Sequence, residues 1–191
     1  PDDVLRFWFT DGSQANWFDS SEVFDDLIRS KFLMLWEAAC EGAVDAWADE
    51  AQGALALIIV LDQFTRNLNR ESAAAWAQDD KALKFTKQAI DRGFDADMSP
   101  EERQFLYMPL MHSENLCDQD RCVRLMHERM PQHGALGLLH ARAHRAVIRE
   151  FGRFPFRNEA LSRASTQSEL DFVGSGGYGY TLRSLQDARA A

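Results

Sequence analysis

The stretch Ala54–Asn67, ALALIIVLDQFTRN, decides how this chain is read. It opens with eight consecutive apolar residues, Ala54–Leu61. A helix that is apolar on every side has no face for water and must lie inside the protein. The same run passes directly into Asp62, Gln63, Arg66 and Asn67. Buried charges persist only when they are paired or hydrogen-bonded. The end of this helix therefore predicts either a polar pocket or a polar structural knot. Asp62, Arg66 and Arg70 fall at i, i+4 and i+8, the spacing of one column on a helix. That column reads as a salt bridge closing the helix end, or as an orienting acid beside an anion-binding fork.

Working outward, 191 residues with 46% hydrophobic content suit one domain with a sizeable core. The organisation expected is a single helical domain over 1–173 and a glycine-rich flexible tail over 174–191. An eight-residue apolar run is far short of the roughly 20 residues needed to span a bilayer, so no membrane partner is expected. No basic-plus-apolar leader is visible. Cys40, Cys117 and Cys122 are few and odd in number, as for reduced thiols, so a cytoplasmic location is expected.

The net charge of -9 argues against nucleic acid as a partner. The charge is unevenly spread. Residues 1–120 carry a net -14, whereas residues 121–163 carry nine arginines and a net +6. The basic segment either packs against acidic parts of the chain or forms a site for an anion.

Period-two alternation is absent and helical signals recur. Helices are expected near Asp3–Phe9, Ser20–Cys40, Ala51–Asn67, Asp79–Arg92, Pro100–Tyr107, Leu110–Leu116, Asp118–Met130, Gly134–Phe151 and Gln167–Val173. Asp19 with Glu22, Ser99 with Glu102, and Thr166 with Glu169 have the spacing of capping boxes. Pro109 is expected to break or kink the chain between two helices. Phe7, Trp8, Phe9, Trp17, Phe18, Trp36, Trp47 and Trp76 are read as packing residues. The fold class is all-α, built from stacked antiparallel helix pairs in a tetratricopeptide-like arrangement, although no clean repeat of about 34 residues is present. Gly174, Gly176 and Gly179 match G-x-G-x-x-G, but they lack the preceding strand that a nucleotide site requires.

Several further groups could carry chemistry. His112 and Glu114 lie in MHSEN, and His140 and His144 share a helix face at i and i+4. Two such histidines can hold a metal, but Ala141 stands where a zinc-helix motif has glutamate, so no metal or other cofactor is expected. Arg142, Arg145 and Arg149 form a stripe that reads as a solvated face. The loop Phe151–Asn158, FGRFPFRN, alternates three phenylalanines with Arg153 and Arg157. Such a loop is anchored by its rings, and its guanidinium groups either bind an anion or cap helix ends.

FWF near the start, LDQFTRN, ERQFLYMPLMHSE and FGRFPFRN together resemble the bacterial family of domain of unknown function 924, over Val4 to about Val173. The resemblance implies an all-helical, tetratricopeptide-like fold and brings no established activity. Thr65 and Phe156 stand where the family pattern usually has Pro and His. The positions matching its polar motifs are Asp62, Gln63, Arg66, Asn67, His112, Glu114, His144, Arg153 and Asn158. His140 is outside that pattern.

These residues are expected to line one polar inter-helix cleft that binds an anionic small molecule or a carboxylate-bearing peptide. An alternative is a hydrolase-type enzyme, metal-assisted or not, with Asp62 or Glu114 as general base and His144 moving protons. A third is a protein-interaction scaffold.

Overall fold

The computed structural model describes residues 1–10, 13–18, 21–70, 72–131 and 134–190. Its regular elements are all helical, with no strand among the described residues. The chain divides into two compact units, Pro1–Pro109 and Leu110–Ala191.

The first unit holds α1 (Asp2–Phe9), α2 (Glu22–Glu41), α3 (Ala51–Ile59), α4 (Thr65–Leu68), α5 (Asp79–Asp91) and the start of α6 (Pro100–His112). Helix α3 packs against α1, α5 and a 3-10 turn at Asp45–Asp49. Every residue from Gly53 to Thr65 is buried, as an all-apolar helix requires. Phe7, Trp8, Phe24, Phe32 and Phe64 stack and tilt against one another beside it. Phe18 departs from the packing role, being 67% exposed.

The central helix is not one α-helix to Asn67. A π-helical turn at Val60–Phe64 carries α3 into α4. Nothing in residue periodicity marks one extra residue per turn. The α2 cap also differs from expectation. Asp19 and Ser20 lie outside the described residues, and Ser21 caps α2 by accepting from the Phe24 N–H at 3.3 Å. The Ser99/Glu102 box forms as read, with Ser99 N donating to Glu102 and Glu102 N to Ser99 Oγ.

Helix α6 runs through Pro109 to His112, correcting the two helices expected there. Pro removes one ladder hydrogen bond, a cost of about 3 kcal/mol. Phe105, Leu106, Tyr107, Met108, Leu110 and Met111 are all buried, at roughly 1.5–3 kcal/mol per side chain, and outweigh it.

The second unit holds the end of α6, then α7 (Leu116–Arg129), α8 (Ala135–Phe151), α9 (Gln167–Gly174) and α10 (Gly177–Ala190). Helix α7 packs on α8. Asn115 Oδ1 caps α7 at Cys117 N, and Thr166 with Glu169 forms the full capping box of α9. The stretch expected as a glycine-rich tail carries regular structure. Residues 177–190 form α10, which packs on α8 and α9, because Tyr178, Leu182 and Leu185 give it one packing face despite its glycines.

Gly53 shows how close the core is. A Cβ at this position would sit 2.2 Å from the Trp47 carbonyl oxygen. In an open helix, Ala is more stable than Gly by about 1 kcal/mol. Here the sign reverses: Gly53→Ala is expected to lower stability in urea unfolding by about 1–3 kcal/mol. A variant at least as stable as the parent would contradict the close approach of the 3-10 turn to α3.

Candidate functional site

The expected site residues fall into two networks, one within each unit. In the first unit Asp62 is 1% exposed. It accepts from Gln63 Nε2 and, at 2.9 Å, from Arg66 Nη1, which also donates to the Asp62 carbonyl at 2.7 Å. Arg66 Nη2 reaches Asp79 at 2.9 Å, and Gln63 Nε2 also approaches Met108 Sδ. Thr65 Oγ1 accepts from Trp36 Nε1 at 2.8 Å, a bond that proline at this position could not make. Asn67 and Arg70 both donate to Asp25.

Asn67 and Arg70 also border a surface groove of about 440 Å³ with Glu22, Asp25, Asp26 and Arg29. Its guanidinium groups are engaged, Arg70 by Asp25 and Arg29 by the Leu68 carbonyl at 2.9 Å. Three carboxylates against two guanidinium groups make it unsuited to an anion.

In the second unit the FGRFPFRN loop is held by carboxylates. Glu114 Oε1 accepts from the Phe154 N–H at 2.7 Å, and both its oxygens accept from Arg163 at 2.7 and 3.0 Å. Burial pushes the Glu114 carboxyl up, but the Arg163 and Phe154 hydrogen bonds prevail and hold it below its ordinary value. Arg153 forms a two-pronged bond to Glu169 at 2.6 and 2.8 Å. That guanidinium keeps Glu169 well below the usual carboxylate range. Asn158, 1% exposed, accepts from Arg163 Nε and donates to Ser165 Oγ. Arg157 is buried, lies 4.6 Å over the Phe154 ring, and donates to the His112 carbonyl at 3.1 Å.

Beside this loop the histidines gather. The His144 ring meets Phe154 at 5.5 Å, His112 at 6.3 Å and Tyr178 at 4.5 Å. His144 Nδ1 lies 2.9 Å from the His140 carbonyl, which can only accept, so Nδ1 carries the proton and Nε2 the lone pair. Burial, followed by the nearby His112, pushes the His144 pKa down to about 3. The imidazole is therefore neutral at physiological pH. His140 Nδ1 is hydrogen-bonded to the Tyr178 hydroxyl. Among the described residues no group of three or more His, Cys, Asp or Glu side chains could hold a metal.

The structure thus brings His112, Glu114, His144, Arg153 and Asn158 into one neighbourhood, and Asp62, Gln63, Arg66 and Asn67 into another. The arginine-rich segment finds its carboxylates inside its own unit: Arg145 and Arg149 on Asp120, Arg153 on Glu169, Arg163 on Glu114. Sequence reasoning missed Arg163, the Arg153–Glu169 pair and Tyr178. Glu169 was visible as a capping residue, but its second role depends on a bend of the chain. Tyr178 was hidden in a stretch that composition marks as mobile.

A family model described as bacterial protein of unknown function, DUF924, matches residues 4–177, and the chain belongs to that family. A solved structure of a protein of unknown function from Agrobacterium tumefaciens is 37% identical, covers 90% of this chain and 95% of its own, and superposes with a TM-score of 0.84. No curated protein matches. No helix among the described residues is long and apolar enough to cross a membrane.

The depressed His144 pKa sets a pH dependence. The unfolded chain takes up this proton near pH 6.5, the folded one only near about 3. The stability linked to neutral His144 is therefore intact above about pH 6.5 and lost as pH falls from there. Denaturant unfolding at about pH 7.5 and 5 should show wild type losing about 1–2 kcal/mol more than His144→Gln. Equal losses would contradict a buried neutral imidazole.

Proposed function

We propose that the second unit binds a small molecule or peptide end that carries a carboxylate beside an N–H or O–H donor. The observation that carries this reading is the pairing of unlike groups at one place. Neutral His144 offers a single acceptor nitrogen, Nε2, and the buried fork of Arg157 adds a fixed positive charge close enough to act on it. Arg157 is oriented by the Phe154 ring and the His112 carbonyl, so little side-chain freedom would be lost on binding. His112, Glu114 and His144 are half-buried, not sealed. A carboxylate suits the guanidinium and the adjacent donor suits Nε2.

The hydrolase reading draws less support. A general base works best with a pKa near the operating pH. Glu114 is held low by Arg163, and His144, near 3, is a weak base. Asp62 is buried against Arg66 and Gln63. The scaffold reading has in its favour only Val23, Leu27 and Met34, exposed along one face of α2, with nothing beside them that identifies a partner.

N-acetylglycine carries both groups on one small frame. Added to the protein, it should move the His144 Cε1–H resonance saturably. Arg157→Met, checked for unchanged helical circular dichroism, should weaken that binding about tenfold or more. A resonance indifferent to N-acetylglycine and to glycolate at tens of millimolar would overturn the proposal.

A further inference from the structure

The C-terminal helix α10 has features of a moving part, and it lies on the histidines. Its first side chain, Tyr178, stacks 6.0 Å from the His140 ring and lies tilted 4.5 Å from the His144 ring, and its hydroxyl is hydrogen-bonded to His140 Nδ1. The phenol thus covers two imidazoles with an aromatic face and a polar hydroxyl.

The helix packs on α8 and α9 without burying a side chain fully. Among the residues of α10 whose side chains are described, none is fully buried; Tyr178, Leu182 and Leu185 are half-buried at best. By contrast Leu139, Ala141, Ala143, Val147 and Ile148 of α8 are buried. Segments with few buried apolar contacts open at lower free energy than the body they rest on. The turn before α10 is also special. Gly176 has φ +103° and Gly177 φ +49°, left-handed conformations that favour glycine, and the helix then starts on Gly177 and Gly179. Two glycines in the opening turn make this a weak helix start and a natural pivot.

We infer that α10 is a cis-acting cap: Tyr178 occupies the His140–His144 face and is released by rotation about Gly176–Gly177, so that ligand and Tyr178 compete for the His144 imidazole. The inference rests on the ligand-binding reading of His144 given above. If ligand binds only the uncapped form, its apparent affinity is reduced by the uncapped fraction, and weakening the cap raises it.

The test uses the full chain and its Tyr178→Ala and Tyr178→Phe variants, with diethyl pyrocarbonate labelling of histidines followed by peptide mass spectrometry. Exposed His127 serves as the internal reference. Tyr178→Ala should speed labelling of His140 and His144 by about tenfold relative to His127, and Tyr178→Phe, which keeps the ring, by less. Hydrogen exchange of wild type should show α10 amides opening together well before those of α8. Unchanged labelling in Tyr178→Ala, or α10 and α8 exchanging at one rate, would overturn the cap. N-acetylglycine titration separates the two ideas. Tighter binding to Tyr178→Ala supports both. Faster labelling with no binding to any form would sink the ligand reading and with it the competition. Binding without faster labelling would leave the ligand reading and remove the cap.

Discussion

The constraint on which the first unit depends is that α3 cannot meet water on any side. Residues 53–65 are buried as one block, and the chain leaves that block through Asp62, Gln63 and Arg66. A carboxylate drawn into an apolar interior must bring its counter-charge along. Arg66 comes from the next turn and itself needs a second acceptor, which Asp79 supplies at the start of α5. The π-helical turn lies where these demands meet, with Asp62 and Gln63 inside it. One buried helix thereby fixes the place of α5 and of the chain through Asn67, whose amide ties to Asp25 of α2.

The second unit uses carboxylates in the same way, for a loop instead of a helix end. Glu114 holds the Phe154 N–H and Arg163; Glu169 holds Arg153 and caps α9. With both carboxylates engaged, FGRFPFRN sets the Phe154 ring against His144 and the Arg157 guanidinium over that ring. The charged residues of the family motifs are thus mostly fastenings. What they hold up is a neutral imidazole beside an oriented guanidinium.

Much of the fold was legible wherever one physical requirement acted alone. Ala54–Leu61 could only be an interior helix. Ser99/Glu102 and Thr166/Glu169 announced helix starts because a capping box is a local arrangement of four residues. Where two requirements competed, local reasoning chose wrongly. Pro109 reads as a break, but burial of Phe105 through Met111 carries α6 past it. The glycines from Gly174 to Gly179 read as a mobile tail, but Tyr178 has α8 to rest on. Partners such as Arg153 with Glu169, or Arg163 with Glu114, are set by how the chain returns on itself, and residue spacing carries no record of that. The polar residues of both networks stand out in the sequence; which arginine answers which carboxylate does not.

The charged end of the buried helix acts as a structural pair. A double-mutant cycle on Asp62 and Arg66, with Asp62→Asn and Arg66→Met measured singly and together in urea, addresses it directly. Each single change should cost about 3–5 kcal/mol, and the double variant should lose much less than the sum, because each partner's cost is mainly that of stranding the other. Additive losses, or an Arg66→Met variant as stable as wild type, would contradict the account.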